Sequence, residues 1–117
     1  MTPTAELREE LRELLDEVIP EGGTESDTRF TDAQLDRILS KARNIYAAAA
    51  EGWTIKAAML QRELGQIEQY SVGSENYKIV NLTTAINAAL NMAKTYREMA
   101  ASSIGSVILK FKPPEVL

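Results

Sequence analysis

The sequence predicts an all-α fold: a small helical bundle with an acidic N-terminal helix, a glycine-containing loop before the last long helix, and an extended, β-prone C-terminal tail. Three observations predict it. Apolar residues recur at three- and four-residue spacing through most of the chain. Hydroxyl and amide residues that cap helices stand just before those periodic runs. The apolar fraction is 44% but the aromatic fraction only 6%, so small side chains, alanine above all, must do much of the packing, and these suit close helix contacts. At 117 residues the chain is long enough for one modest core.

The first element is an acidic helix within residues 1–20. Thr2 and Pro3 have the order of an N-cap hydroxyl and a first-turn proline. Leu7, Leu11, Leu14 and Val18 follow at helical spacing, with Leu15 and Ile19 beside them, and Pro20, Gly22 and Gly23 end the run. Residues 21–29 have no periodicity and read as a mobile linker. Residues 30–103 form the helical core. Thr31 and Gln34 have capping-box spacing, and Phe30 and Leu35 are placed for the accompanying hydrophobic staple. Leu35, Ile38, Leu39 and Ala42 mark a short helix. Asn44 then caps a longer one after a break near residues 41–43, although an unbroken helix over 31–64 competes with this reading. Its stripe is Ile45, Ala49, Trp53, Ala57, Leu60 and Leu64. Gly52 inside it costs about 1 kcal/mol relative to alanine.

Residues 65–79 break the helical pattern around Gly73 and suggest an extended loop or short hairpin. Asn81 can cap the last helix, whose face carries Leu82, Ile86, Ala89, Ala93, Tyr96 and Ala100. Ala85, Met92 and Met99 widen that face, enough for more than one neighbour. Ser102, Ser103 and Gly105 close it. Residues 104–117 form the tail, where Val107, Ile108, Leu109, Lys110, Phe111 and Lys112 are β-prone and Pro113 and Pro114 forbid helix. Val116 and Leu117 end the sequence. Leaving so many large apolar groups in water is unfavourable at roughly 25 cal/mol per Å². The tail is therefore expected to dock, with strand addition to a partner the natural mode.

Charge and chemistry narrow the function. The net charge is −4, but residues 1–30 hold nine acids against three bases, a local −6. Glu6, Glu9, Glu10, Glu13 and Glu17 make a negative face, read most simply as a solvated surface and more sharply as one that nucleic acid passes without sticking. With no histidine and no cysteine, imidazole and thiolate chemistry are excluded. No glycine-rich phosphate loop is present, and Ser40 beside Lys41 points elsewhere on a helix. The clustered glutamates could weakly hold a divalent cation but lack the loop of a calcium site. No enzyme activity, cofactor or membrane span is expected. Trp53 belongs to the core stripe; Tyr70, Val72, Gly73 and Tyr77 form the candidate contact loop.

The order and spacing of these segments carry a resemblance. Residues 30–35 (Phe-Thr-Asp-Ala-Gln-Leu) open a short helix, and residues 44–57 (Asn-Ile-Tyr-Ala-Ala-Ala-Ala-Glu-Gly-Trp-Thr-Ile-Lys-Ala) lie in a long one. Tyr70, Ser71, Val72 and Gly73 follow, then a final helix with Ala93, Lys94, Thr95, Tyr96, Arg97, Glu98, Met99 and Ala100. In this order, over residues 30–101, the chain resembles the head–tail adaptor (connector, or head-completion) proteins of tailed bacteriophages. The resemblance implies a virion protein, made in the host cytoplasm, that assembles as a dodecameric ring under the portal. It implies a ring that extends the DNA channel, passes genomic DNA without sequence-specific binding, and docks the next neck or tail-completion protein. It also implies that the tail reaches the portal through Val107–Leu109, Lys110, Phe111, Lys112, Val116 and Leu117, and that the loop at Tyr70, Val72, Gly73 and Tyr77 meets the tail side or a neighbouring subunit. The acidic helix is less typical of the family, and lining the channel is one of its expected placements. A helical scaffolding or regulatory module, and a small DNA-binding packaging subunit, are the other readings the residues admit.

Overall fold

The computed structural model describes residues 1–70 and 76–105; the tail from residue 106 onward and the connection over 71–75 lie outside the described residues. Its first helix, α1 (Ala5–Leu15), starts two residues later than Thr2–Pro3 suggests. Thr4 is the cap, because its backbone is extended and its hydroxyl accepts from the Leu7 N–H at 3.1 Å. Residues before it run along the next helix, where the Met1 ammonium donates to the carbonyls of Leu39 and Ala42 at 3.1 and 2.8 Å. The helix stops at Leu15, since Asp16 takes a left-handed conformation (φ 57°). The Asp16 and Glu17 amides then cover the carbonyls of Glu13 and Arg12. Val18, expected on the apolar stripe, lies past this turn and is exposed.

Residues 21–29, expected as an aperiodic linker, are tied down by polar contacts instead. A short 3₁₀ turn (Glu25–Asp27) carries its own capping box from Thr24 and Asp27. Glu17 accepts from the Arg29 N–H at 2.8 Å, and Glu25 accepts from the Asp32 N–H at 2.7 Å. Periodicity could not report this segment, because hydrogen bonds and not an apolar face hold it. The second helix, α2 (Asp32–Lys41), opens on the expected capping box of Thr31 and Gln34, with both reciprocal bonds formed. Ala42 turns extended and ends it. Asn44 then accepts from the Ala47 N–H at 2.8 Å and opens α3 (Ile45–Tyr70). The two helices are therefore separate, not one continuous rod.

Within α3, Gly52 is buried because α1 packs against it. A Cβ there would sit 2.6 Å from the Leu15 Cδ2. The glycine is a docking notch for Leu15. Leu11 and Leu15 join Phe30, Leu35, Ile38, Leu39, Ala48 and Ala49 in one core. The N-terminal helix is thus part of the bundle core.

The last helix, α4 (Asn76–Gly105), begins five residues before Asn81, and α3 passes through Gly65 to reach Tyr70. The loop expected over 65–79 is correspondingly shorter. Packing of α3 against α4 overrides the weak local signals, as tertiary contacts do for most helices. Asn44 contacts the Ala100 carbonyl, Tyr46 stacks on Tyr96 at 6.2 Å, and Ala57 and Leu60 pack with Ile86 and Ala89. This register is antiparallel. At 26 and 30 residues the pair spans about 39 and 45 Å. The shorter α1 and α2 pack on the first part of α3, Arg29 reaches Glu63 beyond them, and α3 and α4 hold a second small core of their own.

Candidate interaction surfaces

The structure separates the charges of this chain into paired and unpaired sets. The paired set staples α1 in place. Among the described residues Arg12 is the buried charged one, 3% exposed. Its guanidinium donates to the Glu17 and Phe30 carbonyls, the Thr28 hydroxyl and the Asp32 carboxylate, at 2.9 to 3.1 Å. Arg8 bonds Asp36 at 2.8 Å, which holds its guanidinium above the ordinary arginine range, chiefly through that hydrogen bond. From α3, Trp53 Nε1 donates to the Leu14 carbonyl and Lys56 Nζ to the Leu15 carbonyl, at 3.0 and 2.9 Å. They satisfy the last carbonyls of α1. Lys56 also pairs with Glu17 at 2.7 Å and sits over the Trp53 ring, 4.6 Å from its centroid.

Glu17 therefore leaves the acidic face on which its sequence neighbours lie. The turn at Asp16 redirects it onto Lys56, and its side chain is 10% exposed. Glu6, Glu9, Glu10 and Glu13 do share one exposed face, opposite the buried Leu11, Arg12 and Leu15. None of the four has a salt bridge among the described residues. Among the described residues no acidic cluster has the geometry to hold a metal ion, and no helix is long and apolar enough to cross a membrane.

The second surface is a groove of about 670 Å³ between α2, α3 and the C-terminal half of α4. Its floor is apolar, with Phe30, Ile38, Ala50 and Ala100. Its rim carries Arg37, Lys41, Arg43 and Arg97 against a single acid, Glu51. None of these four cations is in a salt bridge among the described residues. Sequence reasoning missed this groove. The available signal was Arg37 and Lys41, like charges four apart on one helix, an arrangement that costs helix stability.

The third surface is the outer face of α4. Residues 79–93 contain no charge. Val80, Thr83, Thr84, Asn87, Ala88, Leu90 and Asn91 are nonetheless exposed, Val80 and Leu90 at 61% and 48%. An uncharged exposed stripe is unusual where charged residues make up 26% of the chain. The expected contact residues Val72 and Gly73, and the side chains of Tyr70 and Tyr77, lie outside the described residues. So do the expected docking residues Val107, Ile108, Leu109, Lys110, Phe111, Lys112, Val116 and Leu117.

Comparison with protein-family models, curated proteins and solved structures finds no match to this chain.

Proposed function

We propose that this chain is a structural ring subunit of a tailed-phage neck, seated between portal and tail. In this role it extends the DNA channel and offers a docking surface to the next neck or tail protein. The observation that carries the proposal is the outer face of α4. Thirteen of the chain's residues are Lys or Arg and seventeen Asp or Glu, yet residues 79–93 have none while half of them face outward. A face kept free of charge and lined by small and uncharged polar side chains suits burial against other protein. The order of the helices and the resemblance over residues 30–101 give that burial its setting, a closed ring with two different flanks per subunit. The tail, rich in large apolar residues, supplies the proposed hold on the portal.

The test is mass in solution with and without purified portal. The reading expects a discrete, ring-sized assembly on the portal. Loss of it on substituting Val80 and Leu90 by Glu would support the α4 face as the contact. No binding to portal by the full chain would contradict the proposal.

A further inference from the structure

We propose that the basic-rimmed groove receives the acidic outer face of α1 from a second copy of this chain, in a head-to-tail contact. This rests on the ring reading above and names which flanks would meet. Three observations carry it. First, the two charge sets are complementary and both unspent. Glu6, Glu9, Glu10 and Glu13 on α1, and Arg37, Lys41, Arg43 and Arg97 around the groove, make no salt bridge within the described molecule. The other cations near the core, Arg8, Arg12, Arg29 and Lys56, are all paired.

Second, the two surfaces lie on opposite sides of α2. Its Asp32 and Asp36 hold α1, whereas its Arg37, Ile38 and Lys41 line the groove. One copy cannot bring them together, but successive copies can. Contacts between two different patches propagate and close into rings at a fixed rotation.

Third, the spacing matches. Glu9 and Glu13 are one helical turn apart, as are Arg37 and Lys41. Side chains four apart on a helix stand about 5–6 Å from each other, so both pairs present charge at the same pitch. Each like-charged pair weakens its own helix slightly, and a partner of opposite charge relieves both at once.

The test is a charge swap in the full chain. Self-association is measured by sedimentation up to millimolar concentration, alone and on the portal, for wild type and two variants. One carries Glu9→Lys with Glu13→Lys; the other carries Arg37→Glu with Lys41→Glu. All four positions are exposed and in no salt bridge among the described residues, and circular dichroism checks that each variant folds. Each variant alone is expected to associate at least about tenfold more weakly than wild type. An equimolar mixture is expected to recover wild-type association, because each swapped flank then meets its complement in the other variant. Wild-type association is also expected to weaken as salt rises. Variants that associate like wild type, or a mixture that fails to recover, would overturn the contact while leaving the ring reading intact if wild type still assembles on the portal. Recovery in the mixture without any assembly on the portal would uphold the contact and remove the neck reading. A chain monomeric under both conditions would overturn both.

Discussion

Arg12 illustrates how one side chain organises the N-terminal third. Its donors reach the turn after α1, the 3₁₀ segment and the start of α2. Arg12→Ala removes these donors from two backbone carbonyls, the Thr28 hydroxyl and the Asp32 carboxylate around a buried side chain, so it is expected to cost about 3 kcal/mol. Chemical denaturation measures this; a loss below about 1 kcal/mol would contradict the stapling role. Gly52 and Gly65 make a matched pair of tests in the same helix. Alanine is the better helix former by about 1 kcal/mol at both positions. At Gly65 nothing lies within 4 Å of an added Cβ, so Gly65→Ala is expected to stabilise the protein by up to that amount. At Gly52 the Cβ would meet the Leu15 side chain, which is fully buried, so any shift of it disturbs the core it packs in. Gly52→Ala is therefore expected to destabilise by about 1–2 kcal/mol net, and trimming Leu15 to Ala in the same chain should cancel most of the clash term. Thermal melts of the three variants would decide it; equal effects at both glycines would refute the notch.

At the scale of elements, the capping chemistry set the boundaries that sequence could read. The box at Thr31 and Gln34 and the Asn44 cap are local signals, and both formed as their residues suggest. Thr31→Ala should cost about 1 kcal/mol, read as a lower denaturation midpoint with an unchanged slope. Elements held by distant partners were less legible. The segment over residues 21–29 is ordered by Glu17, Arg12 and Asp32, which lie outside it. The passage of α3 through Gly65 and the early start of α4 depend on their mutual packing, which no window of sequence contains. Lys56 carries no local signal of its role, yet it serves as a cap for α1 because the notch at Gly52 brings that helix close.

For the whole molecule, the all-helical class was written in periodicity and small-residue content. The candidate surfaces were legible only in part. The acidic face was visible because its four glutamates recur within a single helix. The groove was not, because its cations come from α2, the α2–α3 junction and the far end of α4 and meet only in the fold. The uncharged run over residues 79–93 was present in the sequence, but its exposure needed the structure to tell it from a core stripe. Together these surfaces give the molecule two oppositely charged flanks and one uncharged side, the asymmetry a head-to-tail ring subunit requires.

The proposed place of this chain is in a ring between portal and tail. Electron cryomicroscopy of particles assembled with this chain tests it most directly. The expected result is a ring of copies below the portal, with residues 106–117 against the portal and the α4 face buried between proteins. Particles whose neck lacks this chain would contradict it.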